Sequence, residues 1–313
     1  MSNTNVSRLG QINQVGLDKE LFLKVFANEV LNAFNSECKY QDKQLVRKIE
    51  HGKSAQFPVT GRITAHYHTP GSEMLGTRMS HAERVITIDE LLVADASIAN
   101  IDEAMNHYDV RAQYSRQMGH VLAKTYDTNV ARVAILAARA APTITGEQGG
   151  SVIIGGANVA TDADLFQKAM FSCAQILDEK DVPDTNRYAF VSPVTYYTAA
   201  QEPKLLNKDW DGKGSISQGT FETLAGITVV KTNHLPKTNI TNDNTVPQKY
   251  RGDFSKTAFQ VIHESAVGTV KLMDLAMESD YLIRNQATFM VARYAVGHGI
   301  LRPESAIEVK TTQ

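Results

Sequence analysis

The sequence predicts an α+β fold in which a middle region is inserted into a first one. Three observations carry this. A helical pattern is sustained over residues 100–141, β-type stretches flank a turn at residues 69–72, and short strand patterns recur from Tyr188 to the C-terminal end. A chain of 313 residues ordinarily makes about two domains. Being 42% hydrophobic and 21% charged, it is too apolar for a disordered chain. Lys and Arg total 32 against 34 Asp and Glu, so the basic field of a non-specific nucleic-acid binder is missing overall. No apolar run approaches the roughly 20 residues of a membrane span, and the first twenty residues show no apolar signal segment. Cys38 and Cys173 lack metal-ligand spacing and read as free thiols in a reducing compartment. The expectation is an intracellular soluble protein.

Residues 1–17, rich in Ser, Asn, Thr, Gln and Gly, have little to bury and read as a flexible arm. After Asp18, Leu21, Phe22, Val25, Phe26, Val30, Leu31 and Phe34 recur at helical spacing, with Asp18 and Glu20 at the positive end of the helix dipole. A helix with three phenylalanines needs a surface, either its own domain or another subunit. Residues 56–59 and 62–68 are β-type, Thr69-Pro70-Gly71-Ser72 breaks the run, and residues 83–89 return. Arms of about twelve residues would form a hairpin roughly 40 Å long, half-polar and marginal alone in water.

The strongest helical signal follows. Asn100 with Glu103 matches a capping box, and Asp109 offers a second N-cap. Val110, Tyr114, Met118, Val121 and Leu122 then form a stripe that Val130, Ala134, Ala137 and Ala138 continue until Pro142 ends it. Such a helix is a spine bridging two regions. After a Gly-rich linker at residues 146–150, residues 162–180 form an amphipathic helix with Leu165, Phe166, Ala169, Met170, Cys173, Ile176 and Leu177 on one side. Strands are expected at residues 188–191, closed by Ser192-Pro193, at 226–230, 258–263, 281–283, 289–296 and 307–310, and a surface loop over 237–253.

Motifs that would carry chemistry are weak. His66 and His68 share a face at strand spacing, but two imidazoles need a further ligand and no HExxH or CxxC supplies one. The glycine pairs 149–150 and 155–156 give neither GxGxxG nor a phosphate loop and read as turn glycines. No serine lies in a GxSxG elbow. Arg251-Gly252-Asp253 reads as a turn, and Asn239-Ile240-Thr241 is moot without secretion. The basic cluster Lys39, Lys43, Arg47, Lys48 and Lys53 is interleaved with Glu37, Asp42 and Glu50 and reads as a solvated or subunit-pairing face.

Several stretches together resemble a known family. Residues 177–183 (LDEKDVP) followed by 187–193 (RYAFVSP), 226–230 (GITVV) with 233–236 (NHLP), and 294–299 (YAVGHG) with 302–307 (RPESAI) resemble the major capsid proteins of tailed phages. Residues 21–26 (LFLKVF), 52–59 (GKSAQFPV), 104–111 (AMNHYDVR) and 265–271 (SAVGTVK) look like those of short-tailed, autographivirus-type podophages. The resemblance implies an HK97-like fold. In it residues 1–55 would be the N-terminal arm, 56–97 an extended hairpin loop overlying a neighbour, 98–142 and 265–313 the peripheral domain with its spine helix, and 143–264 the axial domain.

It also implies the partners. Copies of the chain would form hexamers and pentamers of an icosahedral shell, first as a procapsid with a scaffolding protein and a portal. The shell would then expand around double-stranded DNA held by weak non-specific contact, all in the host bacterial cytoplasm and with no membrane. The arm at residues 1–17 is a candidate scaffold contact, and the near-neutral charge suits a genome that must slide. No catalytic, cofactor-binding or metal-binding residue is carried over, and no cofactor is expected. The rival readings are an α+β enzyme with an unrecognised site, a nucleic-acid-binding module and an encapsulin-type shell.

Some relatives lock their shells by a bond between a loop lysine and a neighbour's asparagine, but residues 56–97 contain neither Lys nor Asn. Mature particles are therefore expected to run as single chains on denaturing gels, and ladders would contradict this.

Overall fold

The computed structural model describes residues 20–312 except 64, 72, 75, 77, 100, 102–109, 145, 203–220 and 222. Along the chain run α1 (Glu20–Glu37), β1 (Leu45–Lys48), β2 (Ser54–Thr60), β3 (His81–Thr87), β4 (Leu92–Ala99), α2 (Val110–Ala138), β5 (Ser151–Ile154), α3 (Ala163–Glu179), β6 (Arg187–Val191), α4 (Pro193–Ala200), β7 (Thr223–Leu224), β8 (Ile227–Lys231), β9 (Thr257–His263), β10 (Val267–Leu282), β11 (Ala287–Ile300) and β12 (Ala306–Lys310). The described parts of Met1–Cys38, Glu90–Tyr126 and Met273–Ala295 form one compact unit; those of Lys39–Asp89, Asp127–Leu272 and Val296–Gln313 form a second. The expected arm at residues 1–17, the caps at Asp18, Asn100, Glu103 and Asp109, and the side chains of Leu21, Phe22, Val25, Phe26 and Val110 lie outside what is described.

In the first unit the described part of α1 docks on α2 of its own chain, one of the two surfaces open to the arm helix. The contact is built from small residues. Gly119 sits so close that a Cβ there would lie 2.8 Å from both Ala33 Cβ and Val30 O. Four residues earlier, Ser115 donates its hydroxyl to Glu29 at 2.8 Å. Phe34 meets Tyr126 and Tyr294 edge-on, at centroid distances of 5.9 and 5.5 Å. The expected stripe on α2 holds at Met118, Leu122, Val130, Ala134, Ala137 and Ala138, all buried. It is corrected at Tyr114 and Val121, which are 42% and 56% exposed, while Ser115, Ala123 and Tyr126 are buried beside it. Close helix approach selects small side chains, and an apolarity pattern does not register them. Beside this pair β4 runs antiparallel to β11, from Leu92↔Tyr294 to Ala99↔Ala287.

The second unit is organised by a six-stranded sheet of order β5-β12-β9-β6-β8-β7. One of its faces packs on α3 through Phe166, Ala169, Met170, Cys173 and Leu177, the positions its amphipathic pattern predicts. Asp162 caps α3, accepting the Asp164 and Leu165 N–H groups. Buried Arg187 holds the α3–β6 turn. It donates to Asp178 at 2.7 Å and to Pro183 O at 2.9 Å, which gives the LDEKDVP…R pattern a structural cause. Ser192, expected only to close β6, caps α4 with Pro193 in the first turn, a helix too short and too apolar all round to carry a periodic signal.

The end of α2 is clamped to this sheet. Glu308 on β12 is fully buried and accepts both arms of the Arg139 guanidinium, Nε and Nη2, each at 2.6 Å. Thr257 on β9 donates to the same carboxylate at 2.6 Å. α2 stops at Ala138, short of Pro142, and Gly150 N–H caps Ala140 O at 3.0 Å. Gly150 is thus a close-approach glycine rather than a linker or turn residue, since a Cβ on it would overlap the Ala137 and Ala138 carbonyl oxygens.

Three further expectations are corrected. β2 and β3 pair antiparallel over seven residues each, Ser54↔Thr87 to Thr60↔His81, about 24 Å rather than 40 Å. The described residues of 62–68 form no strand, because the Arg62 backbone N–H turns to Glu147 instead of a ladder partner. β10 runs for sixteen residues, where only 281–283 carried a strand pattern. The loop over 237–253 is not wholly superficial, for Tyr250 is fully buried.

Removing the Glu308 carboxylate strands the Arg139 guanidinium, whose side chain is 23% exposed. Glu308→Ala is expected to cost about 3 kcal/mol in denaturant unfolding of the unassembled chain, near the lower range for a broken buried pair.

Candidate assembly surfaces

Among the described residues no three of His, Cys, Asp and Glu group to hold a metal ion. His66 and His68 are exposed and off any strand, so they offer no shared strand face. Cys38 is half-buried and Cys173 buried, and neither is in a disulfide; burial pushes the Cys173 thiol up to about 12, which leaves it inert. A small cleft of about 50 Å³ beside the outer end of the β2–β3 ladder is lined by Val59, Thr60, Arg62, Ile144, Glu147 and Glu304. Its Arg62 is committed to Glu147 and Asp181.

What the second unit does build is a fixed footing under the β2–β3 hairpin. On the outgoing leg Arg62 receives its backbone hold from Glu147 Oε1 at 3.0 Å. Its guanidinium donates to Asp181 Oδ2 at 2.5 Å and to Lys180 O at 2.7 Å. Lys180 is itself buried and donates Nζ to Gly149 O at 2.6 Å and Ser151 Oγ at 2.7 Å, so burial lowers its pKa. On the return leg Lys249 Nζ reaches Asp89 at 2.6 Å and Thr87 O at 2.9 Å, and the Tyr250 hydroxyl donates to Asp89. That hydroxyl also accepts the His298 backbone N–H at 3.2 Å. The His298 ring, fully enclosed, meets Thr269 Oγ1 at 2.8 Å, and Thr269 donates to Gln44. Ala55 and Ile86 on the hairpin pack with Val270 and Leu301.

Beyond that footing the described residues as far as residue 78 are exposed. Ile63 is 65% exposed and Tyr67 completely so, with Met74 also exposed. Apolar side chains are exposed elsewhere too: Val152 and Ile154 on the edge strand β5, Phe171 on α3, Val194 and Tyr197 on α4. The basic cluster resolves into local contacts and an open edge. Lys43 donates to Lys39 O and lies over the Tyr188 ring, Arg47 donates to Gln56 O, and all four residues of β1 are exposed. Arg62, Asp89, Lys249 and Tyr250 were not legible as a set, because their partners lie 85 to 162 positions away in the chain. The arrangement holds an exposed hairpin in a set direction and leaves apolar faces open.

Comparison with known proteins agrees. A family described as Gp10A-like, major capsid protein, matches residues 56–310. The chain is 37% identical to the major capsid protein of Escherichia phage T7, covering 91% of this chain and 90% of that one. It is 35% identical, with the same coverages, to that of Enterobacteria phage T3. Among solved structures, the capsid of cyanophage P-SCSP1u superposes with a TM-score of 0.79 at 42% identity over 99% of both chains. A virus-like particle from Pyrococcus furiosus shares the fold, with a TM-score of 0.58 at 12% identity over 92% of this chain and 99% of that one.

Enclosure drives the His298 pKa down to about 3, with Lys249 adding repulsion. Below about pH 6.5 the unfolded chain takes up a proton that the folded one refuses until about pH 3. Stability is therefore present above pH 6.5 and falls as the medium is acidified toward 3. Denaturant midpoints of the unassembled chain should drop from pH 7.5 to 5, and His298→Gln should flatten that slope.

Proposed function

The chain belongs to the Gp10A-like major capsid protein family and forms the icosahedral head of a phage, and we propose that it serves there as a tile without catalysis, complete only among copies of itself. The fold is HK97-like. The observation that carries the proposal is the contrast between a hairpin foot fixed by ion pairs and a tip whose Ile63, Tyr67 and Met74 are bare. A fixed direction is useful only if something waits at the far end, and a neighbouring copy is always at hand in a shell. Contacts between copies are then heterologous and close through shared curvature. Each can be modest, because repetition supplies the strength and weak single contacts let early errors reverse.

In this reading residues 1–55 act as an arm and 56–97 as the loop reaching a neighbour. Residues 143–264 gather around the five- and six-fold positions, and 98–142 with 265–313 form the peripheral part. A scaffolding protein and a portal guide assembly in the host cytoplasm, and double-stranded DNA fills the finished head with only weak attraction to its wall. The overall charge of −2 supports that last point.

Ile63→Ser with Tyr67→Ser tests the reading. The unassembled variant should unfold at the wild-type midpoint, since both side chains are exposed, whereas shells formed with a co-expressed scaffold should fall more than about tenfold by negative-stain counting, as expected when 1.4 kcal/mol or more is lost at a repeated contact. Wild-type shell yield from this variant would overturn the role given to the hairpin tip.

A further inference from the structure

The charge of this chain is nearly balanced overall but not along its spine. α2 has 29 residues and one carboxylate, Asp127, which is fully buried. Its solvent side between residues 113 and 124 therefore carries only basic and neutral groups. Arg116, His120 and Lys124 follow one another at four-residue spacing, on one side of the helix and about 6 Å apart along its axis. Arg116 and Lys124 are exposed, and His120 is half-exposed with Glu37 Oε1 3.5 Å from its Nδ1. Glu37 and Glu29 are the acids that α1 brings to this side, and Glu29 is occupied by Ser115. Exposed Gln113 and Gln117 lie between the cations. By contrast α3, with 17 residues, mixes Asp164, Asp178 and Glu179 with one lysine, as a merely solvated helix does.

We propose that this face of α2 is a non-specific contact for the phosphate backbone of duplex DNA. The proposal rests on the reading that the head encloses double-stranded DNA, and it names where the wall touches it. Arg, Lys and Gln are the side chains that reach phosphate oxygens, and a row with about 12 Å between its outer cations meets two or three phosphates. Such a contact, made to phosphates, is weak per subunit and carries no base readout. It would be repeated by every copy lining the wall, so the genome is held by many exchangeable contacts and still slides.

The test measures binding of the full-length, unassembled chain to a short duplex of random sequence across a salt series. Wild type should bind weakly, with log affinity falling against log salt with a slope of about −2, from two or three counterions released. Arg116→Gln with Lys124→Gln should bring the slope near zero, while Arg116→Lys with Lys124→Arg should keep it. The neutralised variant should still form shells, so loss of shells by wild type would sink the capsid reading, whereas an unchanged slope in the neutralised variant would sink this one. Undetectable duplex binding by wild type at low salt also overturns it. So does a neutralised variant that keeps its salt slope but no longer co-assembles with an acidic partner protein, which would assign the face to that protein instead.

Discussion

Two buried carboxylates set the frame of the second unit. Glu308 is enclosed on the sheet and saturated by the Arg139 fork and the Thr257 hydroxyl. Asp127, equally enclosed, accepts the Lys39 and Tyr40 backbone N–H groups and meets His234 Nδ1 at 2.8 Å. A buried carboxylate without such partners would cost several kcal/mol, so each tolerates one arrangement of its surroundings and penalises the rest. Asp127 in α2 and Arg139, the partner of Glu308 just past the helix end, lie twelve residues apart and so fix that stretch both along its axis and about it. An apolar contact alone would allow sliding by a turn. The sheet, the chain leaving α1 at residues 38–40 and the turn at 232–236 are all located by these polar ties.

That rigidity explains why the exposed parts can be exposed. Arg62, just past the outer end of the hairpin ladder, and Asp89, just past its inner end, are each tied to elements of their own unit. Surface ion pairs such as Arg62–Asp181, at 54% and 74% side-chain exposure, are each worth little in stability. Their value here is directional: several geometrically specific donors on one guanidinium select an exit path for the chain. The core of the second unit is finished without the hairpin tip, whose described residues are exposed. A subunit that must be soluble before assembly and adhesive during it needs that separation, with apolar side chains scattered on a projection, an edge strand and helix faces instead of one large patch.

How much of this could be read from the sequence follows the range of the interactions involved. α3 was legible because its signal is local, an apolar face with Asp162 as cap, and β6, β8, β9 and β12 were legible as short apolar runs. The register of α1 on α2 was not, since Ser115, Gly119 and Ala123 are small rather than apolar and carry no hydrophobic weight. Residues 62–68 show β character without forming a strand, since propensity alone supplies no ladder partner within the chain. The first part of β10 continues past Met273, Asp274 and Glu278, where polar side chains on a half-covered strand hide the period. The ties through Glu308, Asp127 and Asp89 join residues from distant parts of the chain and leave no pattern in any window. Family resemblance, which draws on many such places at once, was the route to the role.

A fold that builds a shell is free in a particular way. An active site demands named atoms at named distances, but a tile demands only a frame and faces of the right outline. The structural likenesses have the shape expected from this: the virus-like particle from Pyrococcus furiosus keeps the fold at 12% identity, and the PhiM1 capsid keeps it with a TM-score of 0.72 at 18%. Clamps such as Arg139–Glu308 are one solution to fixing a long helix on a sheet, and a well-packed apolar contact of equal volume can hold the same frame. What cannot be exchanged so freely is the outline, because every face must fit another copy of the same chain, and a change on one side needs its complement on the other. Divergence should therefore run fastest through the internal means of holding the frame and slowest through the geometry of the faces, the reverse of the order expected for an enzyme.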